Sequence, residues 1–319
     1  MKRSTLLFFA LITVTIGCTK TDDPVDAQPK TVSDVLTETA SFSLLRAAVQ
    51  QAGMSDALKA TNLTLFAPTD DAFKAKGYTT PESFNALSAD ALRSLIRYHL
   101  VTGVVTTKTP EVSSASNLPV EAANKSVLFL TNSTTGLFVN GSKVTKADQS
   151  VANGVIHTIN TLLTSPNGDA LTTLKNRTDV GLLVAALTRG AASRPELMSI
   201  LSGTTTNAAY RTVTLFAPTD AAFVAAGYRT LADINAASPA TLANLLSYHI
   251  VPGMVFSNQL QAGQLTTLST ATTTKLTVAV TAAGPTIKGN SNTAATPIKV
   301  ADLISKNAVI HLIDQVLQP

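Results

Sequence analysis

Residues 64–73 read TLFAPTDDAF and residues 214–223 read TLFAPTDAAF, so nine of ten positions recur at an offset of 150. A chain that writes such a segment twice folds it twice, and the pairing extends well beyond it. The same offset relates Gly77-Tyr78 to Gly227-Tyr228, Tyr98-His99 to Tyr248-His249, and Gly103 to Gly253. Near the start, LLRAAV (44–49) matches LLVAAL (182–187) at 138; at the end, NGVIHTINTLL (153–163) matches NAVIHLIDQVL (307–317) at 154. The second copy therefore carries 12 extra residues between its first helix and TLFAPTD, and about four more late on. Two domains follow, 31–164 and 168–319, joined around Ser165-Pro166-Asn167-Gly168. Each is long enough to bury a core of its own.

Each copy reads as α+β. Leu45, Ala48, Val49 and Ala52 fall at helical spacing, as do Leu183, Ala186 and Leu187. TLFAP is a short apolar strand stopped by proline. Thr69 and Asp70 are expected to cap the helix that carries Ala72 and Phe73, and Thr219 and Asp220 to do the same in copy two. A further helix holds Leu92, Leu95, Ile96 and His99. The second half of each copy turns to alternation. Val127 to Leu130, Leu137 to Val139, an Asn140-Gly141 hairpin turn and Lys143 to Thr145 read as strands, and an apolar strand over Val155–Ile159 or Val309–Ile313 closes the copy.

TLFAPTDxAF, a Tyr-His pair about 30 residues on and a closing NGVIHxIxxLL resemble the fasciclin-like domain, in order and spacing, in both copies. The resemblance covers nearly everything after residue 30. It implies two tandem domains, each a β-sandwich-like sheet core with helices packed along one side. It implies an extracellular adhesion or matrix-binding role without catalysis, and a contact motif at Tyr98, His99, Tyr248 and His249. Copy two departs from the pattern at Asn307-Ala308, where copy one has Asn-Gly, so the turn there is expected to differ.

The N-terminus reads as an address. Lys2 and Arg3 precede an apolar run of 11 residues, Leu6 to Ile16, too short to span a membrane. Ile16-Gly17-Cys18 resembles the end of a bacterial lipobox, although Thr15 stands where that pattern prefers Leu. Residues 1–17 are thus expected to be a signal peptide and 18–30 a tether, lipidated at Cys18, the one cysteine of the chain. Lys20 followed by Asp22-Asp23 is similar to the surface-export signals of Bacteroidetes-type lipoproteins. The expected place is the cell envelope, lipid-anchored at the outer membrane and exposed at the cell surface.

Charged residues make up 14% of the chain and the formal net charge is +4, of which Lys2 and Arg3 supply two. So weak an excess excludes electrostatic capture of nucleic acid. One cysteine excludes an internal disulfide or a cysteine-rich zinc site. No G-x-S-x-G elbow, H-x-x-x-H pair or EF-hand loop occurs, and Gly136 to Lys143 reads as a hairpin rather than a phosphate loop. No cofactor or metal is expected. The four histidines are His99, His157, His249 and His311. Each shares a face with aliphatic neighbours: His99 with Leu92, Leu95 and Ile96, His249 with Leu242, Leu245 and Leu246, His157 with Val155 and Ile159, His311 with Val309 and Ile313. They read as neutral core histidines whose ring nitrogens find backbone or Asp partners, a placement that competes with the contact role the resemblance implies. Five N-x-S/T triplets (Asn62, Asn124, Asn132, Asn140, Asn176) read as chance in a Thr-rich bacterial chain. Copy two carries two segments expected to be flexible inserts, Arg189–Arg211 and Gly263–Thr296. The function expected is binding, of extracellular protein or glycan. The alternative is ligand or glycan capture beside an outer-membrane uptake system.

Overall fold

In the computed structural model, which describes residues 28–269 and 275–319, each copy of TLFAP is an inner strand of a seven-stranded sheet. The first copy runs α1 (Val32–Glu38), α2 (Ser43–Gln51), β1 (Leu63–Pro68), α3 (Asp70–Lys74), α4 (Ala89–Tyr98), β2 (Leu100–Thr102), α5 (Pro110–Ser113), β3 (Leu118–Glu121), β4 (Val127–Ser133), β5 (Gly136–Val139), β6 (Ser142–Val151) and β7 (Gly154–Ile159). The second runs α6 (Ala170–Lys175), α7 (Gly181–Gly190), α8 (Glu196–Leu201), β8 (Val213–Pro218), α9 (Asp220–Ala225), α10 (Leu231–Ala236), α11 (Pro239–Tyr248), β9 (Ile250–Pro252), β10 (Gly263–Leu265), β11 (Leu276–Thr281), β12 (Gly284–Lys288), β13 (Thr296–Ile304) and β14 (Ala308–Ile313). The expected signal peptide (1–17), Cys18 and most of the tether lie outside the described residues. No helix among the described residues is long and apolar enough to cross a membrane.

The strand orders are β2-β1-β7-β6-β5-β4-β3 and β10-β11-β12-β13-β14-β8-β9. The motif strand and the closing strand pair in parallel, Phe66 opposite His157 and Phe216 opposite His311. The other pairings are antiparallel. Register shifts between Val144, Lys146 and Gln149 bend β6, a bulge that folds the sheet over itself. The two edges then almost meet. Ala123 N–H, just past β3, donates to Leu100 O in β2 at 2.8 Å, and Leu268 N–H donates to Ile250 O at 2.7 Å in the second copy. The sandwich-like core is thus one nearly closed sheet.

All six residues of β1 and of β8 are buried, because helices cover one face and the folded sheet covers the other. Leu63, Leu65 and Ala67 pack toward the helices with Leu45, Phe73 and Leu92. Phe66 points inward with Tyr98, Leu130 and Val139. This is why TLFAP reads as a continuous apolar run rather than an alternation. The Asn140-Gly141 turn between β5 and β6 has both residues at positive φ, 49° and 78°, as a tight two-residue hairpin requires.

Three expectations are corrected. Thr69 and Thr219 do cap their helices, accepting from Ala72 N–H and Ala222 N–H. Asp70 and Asp220, however, open α3 and α9 while their carboxylates cap a different helix. Asp70 accepts from Leu44 N–H (2.8 Å) and Ser43 Oγ (2.7 Å) at the start of α2, and Asp220 accepts from Leu182 N–H (2.7 Å) at the start of α7. The segment Arg189–Arg211 contains α8, whose Leu197, Ile200 and Leu201 are buried in the core at the i, i+3, i+4 spacing of an amphipathic helix. Gly263–Thr296 supplies β10, β11 and β12, with Leu276, Val278 and Ile287 inside the sheet; 270–274 lie outside the described residues.

The two domains meet at an apolar contact. Phe129 on β4 packs against Phe256 with the rings tilted by 46° and their centroids 6.0 Å apart, beside Met254 and Ile304. Asn117 Nδ2 donates to Met254 O (2.6 Å) and Gln259 Nε2 to Ser116 Oγ (3.2 Å). The Gly141 turn lies so close to the second domain that a Cβ there would sit 2.4 Å from Asp302 Oδ2.

Candidate functional site

The Tyr-His pair ends α4 in one copy and α11 in the other, and both side chains turn inward; Tyr98, His99, Tyr248 and His249 are each 0% exposed. His99 closes its helix. Its Nδ1–H donates to Leu95 O (2.9 Å) and its Nε2 accepts from Leu163 N–H (3.1 Å), which fixes one neutral tautomer. His249 repeats this with Leu245 O (2.9 Å) and Leu317 N–H (2.9 Å). Burial pushes both imidazoles down to about 4, against the opposing pull of the Leu95 and Leu245 carbonyls. Tyr98 Oη donates to Val127 O and accepts from Asn140 Nδ2; burial pushes its hydroxyl well up. Tyr248 Oη donates to Lys275 O and accepts from Asn290 N–H. These pairs fasten the end of a helix to the inside of the sheet and present no surface to a partner.

His157 and His311 are also 0% exposed. Their Nε2–H groups donate to Val105 O (2.8 Å) and Val255 O (2.9 Å), and their Nδ1 atoms accept from Asp148 N–H and Asp302 N–H. Each ring stacks on the motif phenylalanine, Phe66 or Phe216. Burial again lowers both, opposed by the nearby Val105 and Asp148 or Asp302 and Val255. With both nitrogens spent on backbone, no imidazole is left to activate a nucleophile. Among the described residues no group of three or more His, Cys, Asp or Glu is placed to hold a metal.

Several repeated roles escaped the sequence reading. Asp148 and Asp302 sit at positive φ on the sheet bulge and accept from Thr107 or Ser257, both N–H and hydroxyl. Asn153 and Asn307 each tie three segments together: Asn153 accepts from Val32 N–H and donates to Leu58 O and Ala60 O, and Asn307 accepts from Ala170 N–H and donates to Ile200 O and Leu201 O. At Asn307-Ala308 the asparagine keeps its role but the turn differs: β6 and β7 pair as far as Val151 opposite Gly154, whereas β13 and β14 pair only as far as Ile304 opposite Val309, and Ala308 N–H turns to the Ser305 hydroxyl. Buried Thr64 and Thr214 donate to Gly103 O and Gly253 O and accept from Val105 N–H and Val255 N–H. The available signal for all of these was their recurrence at corresponding places in the two copies.

What remains open is surface, and a cleft of about 580 Å³ lies in it at the domain junction. The first domain contributes Lys76, Lys143, Asn160 and Thr164; the linker contributes Asn167; the second domain contributes Asn176 and the β13 segment Val300–Ile304. No aromatic side chain lines it.

A family model described as the Fasciclin domain matches residues 40–166 and 188–319. Transforming growth factor-beta-induced protein ig-h3 of Sus scrofa is 34% identical over 142 residues, 43% of this chain and 19% of that protein. Protein sll1483 of Synechocystis is 34% identical over 138 residues, 43% of this chain and 74% of that protein. Human periostin is 33% identical over 136 residues, 42% of this chain and 16% of that protein. The matches thus span under a fifth of the two animal proteins. A solved FAS1 domain pair from the insect cell adhesion molecule Fasciclin I aligns with 86% of this chain and 96% of its own at 17% identity, with a TM-score of 0.40.

Proposed function

The chain belongs to the fasciclin-domain family, and from that premise we propose that it is a non-catalytic binding protein of the cell envelope, held by lipid at Cys18, whose two domains make adhesive contacts to matrix, cell-surface proteins or glycans. Fasciclin domains occur in cell-adhesion proteins. One observation carries the reading. The groups that could do chemistry are spent on the fold: both ring nitrogens of all four histidines are hydrogen-bonded to backbone. What the domains offer a partner is a neutral, hydroxyl-rich surface. Two weak sites on one tether raise avidity without a strong single contact.

Two measurements test it. The full chain displayed multivalently on beads should bind matrix proteins, glycans or cells above beads bearing an unrelated protein; absence of binding across such a panel ends the adhesion reading. Mass spectrometry of the mature N-terminus should find an acylated Cys18, and Cys18→Ala should release the protein from membranes. An unmodified N-terminus would remove the anchor from the proposal. A second reading, capture of a soluble glycan for uptake, is favoured by the junction cleft, and saturable binding of one oligosaccharide by calorimetry would support it.

A further inference from the structure

The cleft at the domain junction is chemically uneven. Lys76 and Lys143 line it, and neither ammonium has a carboxylate within ion-pair distance among the described residues. The one acidic side chain in the lining, Asp302, is already occupied by Ser257 N–H (2.7 Å) and Ser257 Oγ (2.5 Å). Among the described residues the side-chain amides of Asn167 and Asn176 have no hydrogen-bond partner. Among the described residues the lining thus holds two lysines without a carboxylate partner amid neutral donors and acceptors, with no ring on which a nucleobase could stack. Ligand sites with this mixture of few charges and many neutral hydrogen-bonding groups, placed between domains, suit a hydroxyl-rich molecule bearing sparse negative charge.

We propose that this cleft binds an oligosaccharide carrying carboxylate or sulfate groups, with Lys76 and Lys143 meeting the charges and Asn167 and Asn176 the hydroxyls. The site is composite. Its walls come from both domains, so it exists only while the junction around Phe129 and Phe256 holds them together, with the Asn117–Met254 and Gln259–Ser116 bonds beside it. The proposal deepens the glycan part of the adhesion reading and rests on it for the choice of a sugar.

The test is calorimetry on the full chain with a galacturonate hexamer, a neutral galactan hexamer of equal length, and inorganic phosphate as probes. The uronate hexamer should bind saturably and lose affinity steeply between roughly 50 and 500 mM salt, while the neutral hexamer binds at least about tenfold more weakly. The double variant Lys76→Gln, Lys143→Gln should weaken the uronate about tenfold or more with an unchanged melting temperature. Phe129→Thr should abolish binding while both domains stay folded, because it separates the two walls. Three results would overturn the proposal: equal binding of the neutral hexamer, full competition by phosphate at matching concentration, or uronate binding that survives Phe129→Thr. If bead adhesion persists while the uronate never binds, this inference fails and the adhesion reading stands. If the uronate binds but adhesion to matrix is absent, the cleft stands and the adhesion reading falls.

Discussion

Phe129 of the first domain and Thr277 of the second occupy the same place in their sheets. Leu130 pairs with Val139 and Val278 with Ile287, and the Tyr98 and Tyr248 hydroxyls reach Val127 O and Lys275 O, which aligns the two strands residue for residue. Phe129 is the first domain's half of the apolar joint, yet the corresponding residue on the second domain is a threonine. The converse holds as well. Met254, Phe256 and Ile304 form the second domain's half, and their counterparts at the repeat offsets are Val104, Thr106 and Ser150. The residues that would build a second copy of this contact are mostly polar, Val104 excepted. A head-to-tail contact between two like domains could continue indefinitely and build a filament. Here the free ends lack the matching surface, so the contact closes at two domains. Inside, the copies are nearly interchangeable: the same two histidines, the same bulge aspartate and the same tying asparagine make corresponding bonds, and the tyrosine differs only in its donor, the Asn140 side chain in one copy and the Asn290 backbone in the other. The two copies are alike in the interior and differ on the exterior where they meet.

The largest expected effect tests the shared interior. His99→Ala and His249→Ala each remove a fully buried ring and leave a carbonyl and an N–H without partners, so each should cost its own domain roughly 3–5 kcal/mol. Two-transition thermal unfolding should show H99A lowering one transition and H249A the other by a similar amount. A variant that kept its stability but lost binding would instead make the Tyr-His pair a contact site and undo the comparison.

The same histidines set a pH window. Their folded values lie near 4, below the ordinary 6.5, so the unfolded chain binds more protons between those limits. Stability is then fully present above about pH 6.5 and declines as pH falls toward 4, by roughly 3 kcal/mol for each histidine. His157 and His311 shift in the same direction and add to the loss. Both domains should soften together in denaturant titrations at stepped pH; acid loss confined to one would separate the copies.

At Gly154 and Ala308 the copies differ in one atom with opposite consequences. A Cβ on Gly154 would sit 1.8 Å from Leu63 O, whereas Ala308 carries a Cβ at the same register against Val213 without exposure. Gly154→Ala should therefore cost the first domain about 3 kcal/mol, the upper range for overpacking. Ala308→Gly should cost the second only about 1 kcal/mol. Equal losses would mean that β7 can shift as β14 evidently has.

Much of this was legible in the sequence and some was not, for physical reasons. The repeat gave the two domains, and the helix and strand periods located most elements, because amphipathic spacing reports which face is buried. The shared faces of the four histidines pointed to burial. Sheet order was hidden, since the parallel pairing of β1 with β7 joins strands about 90 residues apart. Helix α8 hid in a segment that looked like a tolerated insertion, although Leu197, Ile200 and Leu201 already had helical spacing. Asn153, Asp148 and Thr64 were invisible because a buried polar residue shows its worth only through its partners. Asp70 looked like a cap for its own helix, and nothing local pointed to the start of α2, 27 residues away in sequence. The junction cleft could not be foreseen at all, as it depends on how the domains meet.

Asp70 also carries the smallest and most discriminating prediction. It receives two donors at the start of α2, Leu44 N–H and Ser43 Oγ, whereas at the start of α7 Asp220 receives Leu182 N–H alone among the described residues, because Gly181 stands where Ser43 does in the first copy. Asp70→Ala should then cost about 2 kcal/mol and Asp220→Ala about 1 kcal/mol. The gap can be closed from the other side. A Cβ on Gly181 would meet Asp220 Oδ2 at 3.6 Å, an ordinary contact, and Gly181 has no positive φ to forbid a side chain. Gly181→Ser restores the missing hydroxyl donor and removes a glycine from a helix start, so it should raise the second domain's stability by roughly 1 kcal/mol. If the serine stabilises only when Asp220 is present, in a double-mutant cycle with Asp220→Ala, the bond itself is responsible. If it stabilises equally in both backgrounds, the gain comes from the lost glycine, and the aspartate's second donor in the first domain contributes nothing.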